Sequence, residues 1–215
     1  MPPADQPPHR THRATAPTVA LADRADLAGL ANVIYWGYAR QGRRDVRVRS
    51  FLEAVTSAHL DRAREAFASV HGPGLRDLKR IGLPRFTQVT FLSKLRMFLD
   101  PVCFAALDLK LAKLRFEQPS TLLHDLKVQP TSIPVTAHNE AVYAAWCAAC
   151  QALATALGPE RGWRAADVER GVFHLVDTGQ AASAARLLAR TAASVAGRGD
   201  RQLGGSAAIG RAPSR

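Results

Sequence analysis

The sequence predicts an all-α protein of seven to nine helices. Apolar residues recur three and four positions apart along most of the chain, and they almost never alternate with period two. Breaks rich in glycine and proline separate the periodic runs. The chain has 215 residues, of which 47% are hydrophobic, enough to bury one sizeable core. No apolar run approaches the roughly 18 residues needed to cross a bilayer, so no membrane partner is expected.

Residues 1–18 (MPPADQPPHRTHRATAPT) are proline-rich and polar, and a disordered tail is expected there. They lack the apolar stretch of a secretory signal. The helical domain is expected over residues 19–196. Leu21, Leu27, Leu30, Ile34 and Tyr38 have helical spacing within residues 20–40, and Gly42 closes that run. Arg43, Arg44, Arg47 and Arg49 follow. The two-residue spacing of Arg47-Val-Arg49 predicts an extended loop, equally suited to phosphate contact and to plain solvation. Ser50-Phe-Leu-Glu53 has a capping-box pattern, which predicts a helix to about Val70. His71-Gly-Pro-Gly74 breaks it. Residues 85–99 read as a strongly apolar helix stopped by Asp100-Pro101.

Val102–Leu107 is short and apolar and reads as extended. A further helix is expected from near Asp108, carried by Leu109, Leu111, Ala112 and Leu114. Pro119-Ser120 opens another turn. The longest helix is expected over 136–157, ended by Gly158-Pro159, and two more over 165–176 and 180–196. Residues 197–215 (GRGDRQLGGSAAIGRAPSR) read as a second, basic disordered tail.

The formal net charge is +11. Residues 76–115 hold nine basic and three acidic residues, so the charge of the domain concentrates there. A local basic field of this kind favours a polyanion such as nucleic acid, and it is also what a solvated Arg/Lys face would give. Three cysteines, an odd number without an export signal, suggest a reduced, cytoplasmic setting. Cys147-Ala-Ala-Cys150 has no second pair, and His138 lacks zinc-finger spacing to it. Buried thiols rather than a metal site are expected. Tyr35, Trp36 and Tyr38 cluster on one helix, where aromatic rings serve either a core or an extruded base. His124-Asp125 are adjacent and do not face each other on a helix.

The least ordinary stretch is Ser93-Lys-Leu-Arg-Met-Phe-Leu-Asp-Pro-Val-Cys-Phe-Ala-Ala-Leu-Asp108. Lys94 and Asp108 lie inside apolar runs, where an unpaired charge is costly. Burial favours the uncharged amine of a lysine, a nucleophile able to form a Schiff base with a sugar carbon. An aspartate at a helix N-terminus is held ionised by backbone N–H groups, and it can steady an oxocarbenium-like cation. A lysine laying its stem along apolar surface beside a helix-capping aspartate explains the same residues without any chemistry.

The order small residue plus lysine, apolar helix, Asp-Pro turn, short apolar piece, aspartate and further helix resembles the catalytic segment of the helix-hairpin-helix DNA glycosylase superfamily. The 8-oxoguanine DNA glycosylase branch, with its shorter bacterial members, is nearest. Ser93-Lys94 matches the family's Schiff-base lysine, which opens a helix, and Leu107-Asp108 matches its second catalytic group. Trp163-Arg-Ala-Ala-Asp-Val-Glu-Arg-Gly-Val-Phe173 resembles the C-terminal helix of the shorter members, and Asn32–Gly37 is compatible with their N-terminal helix. The family's Leu-Pro-Gly-Val-Gly-like hairpin, which grips a DNA phosphate, has no glycine in the matching Thr87–Ser93, and Gly82-Leu-Pro84 lies earlier than that turn should.

The resemblance implies a base-excision glycosylase, with or without lyase activity, acting on an oxidised purine in double-stranded DNA. It implies a monomer that needs no metal or organic cofactor. Lys94 and Asp108 would be catalytic. Arg80, Arg85, Arg96, Lys110 and Arg44 would contact DNA, and Trp36, Phe104 and Phe173 would line the base pocket. A non-catalytic helical module binding DNA or protein on the same fold stands beside this reading.

Overall fold

A computed structural model describes residues 26–39, 42–68, 72–117 and 122–190. The two tails, the start of the first expected helix, Val70-His71 and the Pro119-Ser120 turn lie outside the described residues. The protein is all-α. Its first helix, α1 (Leu27–Gly37), opens with the Asp26 carboxylate accepting the N–H of Gly29 and buries Leu30, Val33 and Ile34. The arginine run is not a loop. It lies in α2 (Arg44–Ala54), because residues three apart share a helix face, and Arg44 and Arg47 lie over the rings of Tyr35 in α1 and of Tyr38 just after it. Ser50 therefore sits inside a helix rather than capping one.

The single helix expected to Val70 is two pieces. Val55 is extended at the end of α2, and α3 (Ser57–Ala68) restarts behind Thr56, whose hydroxyl accepts the N–H of His59. A helix that the sequence reading omitted, α4 (Leu75–Ile81), buries Leu75, Leu78 and Ile81. It ends at Gly82 in the left-handed conformation (φ 78°), which glycine adopts at little cost. The apolar helix predicted over 85–99 begins only at Val89, giving α5 (Val89–Leu99), because residues 82–88 form the turn between α4 and α5. Arg85 in that turn is also left-handed (φ 71°).

Asp100 stops α5, and its carboxylate accepts the N–H groups of Val102 and Cys103. Residues 104–108 pair with no strand, and among the described residues only isolated bridges occur, Gln88 with Pro134 and Gln129 with Ser132. Ala105, Ala106 and Leu107 are nonetheless buried. Buried backbone must find partners, and side chains supply them: Trp146 donates its indole N–H to the Ala106 carbonyl (2.9 Å), and Ser93 serves Leu107. The helix expected after Asp108 is a short 3-10 helix, Leu111–Phe116.

The long helix α6 (Ala137–Ala156) is capped by the Thr136 hydroxyl and buries Tyr143, Trp146, Cys147 and Cys150. After a 3-10 turn (Pro159–Arg161) comes α7 (Ala165–Asp177), and residues 181–190 form α8. Helix α1 packs on α2 and α5, α4 on α3, α5 and α6, and α7 on α6 and the 3-10 helix. One apolar cluster runs through all of these. No helix among the described residues is long and apolar enough to cross a membrane.

Asn139 is the buried polar residue that ties α6 to the loop before it. Its Oδ1 accepts the Lys127 N–H (2.9 Å), and its Nδ2 donates to the carbonyls of Lys127 and Pro134 (both 2.8 Å). Removing the amide strands three backbone groups. Asn139→Ala is expected to lose about 3 kcal/mol of stability, read as a lowered urea midpoint at unchanged slope.

Candidate active site around Lys94 and Asp108

Lys94 and Asp108 reach one place because their neighbours are bonded to each other. Ser93 is fully buried in α5, and its hydroxyl accepts the N–H of Leu107 (3.0 Å) while lying 3.3 Å from the Leu107 and Thr90 carbonyls. That clamp fixes the loop on α5 in a single register. The next residue on each segment is then Lys94 or Asp108, with Nζ 3.8 Å from Oδ2. The other carboxylate oxygen of Asp108 accepts the N–H groups of Lys110 (2.9 Å) and Leu111 (3.0 Å), so the carboxylate is held by backbone and faces the lysine. The Lys94 and Asp108 side chains are 17% and 22% exposed, so the pair is neither sealed in nor freely solvated.

The pair lines an open cavity of about 400 Å³. Arg85 and Lys110 supply cations to its wall. Tyr38 and Phe91 supply an aromatic side, with ring centroids 4.9 Å apart and planes tilted by 37°. Gly37 lets α1 approach there, since a Cβ at that position would collide with the Phe91 ring. Thr87, Gln88, Thr90, Thr131 and Ser132 supply hydroxyl and amide groups. The Gln88 carboxamide oxygen is buried and has no hydrogen-bond partner. Arg85 is anchored by donating to the Ser50 hydroxyl (2.7 Å).

Of the residues expected at the site, Lys94, Asp108, Arg85 and Lys110 come together. Lys110 is also ion-paired with Asp177 and lies 5.1 Å from the Phe173 ring centroid. The others are placed elsewhere. Arg80 pairs with Asp77 on the far part of α4. Arg96 stacks on Phe104, 3.6 Å from its centroid, and packs inward toward Tyr143. Arg44 lies over Tyr35. Trp36 lines a separate cleft with Leu95 and Phe98, so Trp36, Phe104 and Phe173 do not form one pocket. Tyr38, Phe91 and Gln88 line the cavity beside Lys94 instead. Their signal in sequence is faint, because they converge from two helices and a turn. Lys94 itself is the sixth residue of α5, not the first, a departure from the family pattern.

Glu169 is a residue that sequence reading missed. It lies partly buried on α7, and its carboxyl is pushed up to about 7, chiefly by burial and next by the negative charge of Asp108; Lys94 and Arg170 oppose the shift. The cysteines play no part in this cavity. Burial raises the thiols of Cys147 and Cys150, which keeps them protonated and poor metal ligands. No group of three or more metal-binding side chains occurs among the described residues.

No family model, curated protein or solved structure matches the chain.

Ser93→Ala removes the register clamp and leaves the Leu107 backbone unpartnered. It is expected to cost about 2 kcal/mol, measured by thermal or urea unfolding. Glu169 also makes stability depend on pH. Its folded value lies above the ordinary 4.5, so the folded protein keeps a proton that the unfolded chain has released, and stability falls as pH rises from about 4.5 to about 7. Glu169→Gln is expected to match the native protein near pH 4 and to exceed it at pH 8 by on the order of 2 kcal/mol, seen as diverging melting curves.

Proposed function

We propose that this protein is a DNA N-glycosylase acting on a damaged purine in duplex DNA, with Lys94 as nucleophile. The observation that carries the reading is the meeting of Lys94 and Asp108 at 3.8 Å in an open cavity that Arg85 and Lys110 also line. A purely structural ion pair has no need of a cavity. The volume lies within the roughly 300–1,000 Å³ usual for sites that hold a small organic group. Tyr38 and Phe91 offer a face for a base turned out of the helix.

In this reading Lys94 gives up one proton and its lone pair attacks C1′ of the sugar. The bond from C1′ to the base breaks, its electron pair leaves with the base, and the base takes up a proton. Asp108, held in place by the N–H groups of Lys110 and Leu111, steadies the positive charge that develops on the sugar. The C1′–O4′ bond then breaks, its electron pair stays on O4′, which takes one of the remaining amine protons, and a C1′ iminium is left on Lys94, the species a lyase step requires. Arg85 supports the reading in a different way. It occupies a left-handed turn position between two helices, just before the Thr87–Ser93 stretch that matches the family's hairpin, and strain of this kind often marks a functional site. Its guanidinium supplies a charge for a phosphate where the family uses glycine-backed N–H groups.

Borohydride trapping on duplex DNA carrying 8-oxoguanine or an abasic site tests the chemistry. A covalent protein–DNA band that vanishes in Lys94→Gln is expected. No band on either substrate rejects the lysine mechanism and favours a non-catalytic binding module. Arg85→Gly is expected to relieve about 1 kcal/mol of backbone strain. The same change should weaken DNA binding and reduce the slope of log affinity against log salt by about 1. An unchanged slope would remove Arg85 from the DNA contacts.

A further inference from the structure

The 3-10 helix leads from the Lys94–Asp108 cavity to a second groove. A 3-10 helix has three residues per turn and rises about 2 Å per residue, so every third side chain falls on one line. The Lys113 N–H donates to the Lys110 carbonyl (3.1 Å), which makes the first such step. Lys110, Lys113 and Phe116 therefore follow one another along one edge. Lys110 lines the cavity, whereas Lys113 and Phe116 line the groove, which has a volume of about 440 Å³. Leu109 lines both openings. The turn Gln129–Ser132, closed by backbone bonds between its end residues, stands between them. Its Gln129 and Pro130 face the groove, and its Thr131 and Ser132 face the cavity.

Phe116 is 74% exposed, the most of any large apolar side chain among the described residues. The Arg115 guanidinium lies 4.1 Å from its ring centroid and is fixed there by donating to the Ala112 carbonyl (3.2 Å). The ring is thus backed by a cation and still open to solvent. No carboxylate lines the groove, and among the described residues none pairs with Lys113 or Arg115. The cleft that holds Trp36 and Phe98 has no charged residue in its lining. An exposed ring between unpaired cations suits an anionic partner that carries flat apolar groups. A nucleic acid strand has that chemistry, with phosphates for the cations and a base for the ring. Bases inside a duplex have both faces covered by their neighbours, so only an unpaired base can use Phe116.

We propose that this groove holds an unpaired nucleotide of the DNA strand whose extruded base enters the cavity, with its base stacked on Phe116 and its phosphates beside Lys113 and Arg115. The inference rests on the reading of the cavity as a DNA site. The groove reads no sequence, because every base offers a face to stack.

The experiment titrates the full chain against a fluorescent single-stranded oligothymidylate of about 12 nucleotides, with Phe116→Ala, Phe116→Trp and Lys113→Gln beside it. Phe116→Ala should bind at least roughly tenfold more weakly, at an unchanged melting temperature because the ring is exposed. Phe116→Trp should bind like the native chain and show indole quenching that the native chain lacks. Lys113→Gln should reduce the slope of log affinity against log salt by about 0.7. A native chain that does not bind the oligonucleotide overturns the proposal, and so does Phe116→Ala binding as tightly as native. Light scattering that shows a native dimer and a monomeric Phe116→Ala assigns the ring to a second copy and overturns it as well.

Borohydride trapping on an abasic duplex judges the chemistry separately. No covalent band together with oligonucleotide binding that depends on Phe116 rejects the glycosylase reading and keeps the groove. A band together with binding indifferent to Phe116 keeps the glycosylase reading and rejects the groove.

Discussion

The reciprocal bonding of Ser93 with the backbone of Leu107 is the contact on which the site depends. An isolated hydroxyl inside an apolar helix would be a liability, since a buried polar group without a partner costs on the order of 1–3 kcal/mol. Here it does what a neighbouring strand would otherwise do, because residues 104–108 are buried but pair with no strand. Trp146 does the same for Ala106 from the other side. The loop is thus held between α5 and α6 by side chains, and only one register satisfies both bonds. That register puts Lys94 beside Asp108. A slip by one residue would separate the charges and strand the loop's backbone groups at once.

The cavity wall follows from how closely the helices can approach the pair. Gly37 brings the end of α1 against Phe91, and Tyr38 then lies beside that ring. Helix α2 is pinned onto α1 by arginines lying over tyrosines, which turns a run of like charges into packing. Ser50 of α2 in turn anchors Arg85 in the turn that leads into α5. Two left-handed residues, Gly82 and Arg85, bend that turn tightly enough for α4 and α5 to share the core. The basic field of residues 76–115 is therefore not a uniform face. Arg96 is stacked inward and Arg80 is paired with Asp77, whereas Arg85 and Lys110 line the cavity.

Charge at the site is balanced across three elements. Asp108 is held by backbone N–H groups, Lys94 faces it from α5, and Lys110 answers Asp177 on α7. Glu169 adds a carboxyl whose ionisation is suppressed by burial and by Asp108.

The sequence by itself determined the helical class and the existence of α1, α5, α6 and α7, because each carries an apolar stripe of period 3.6 that no strand could bury. It also marked Lys94 and Asp108, because charges inside apolar runs need partners. It misplaced α2, where two-residue spacing of arginines hid their three-residue spacing, and it joined α2 to α3 and passed over α4, whose seven residues are too few to show a period. Only the tertiary structure decided which cations stand at the cavity and which aromatic rings wall it. Arg96 and Arg85 are alike in sequence, but one lies in a helix facing Phe104 and the other in a strained turn facing the opening. Glu169 looks like any exposed helix glutamate until packing of α7 against the loop removes its water. Local periodicity is written in neighbouring residues, whereas desolvation and convergence depend on segments far apart in the chain, and those meet only in the folded core.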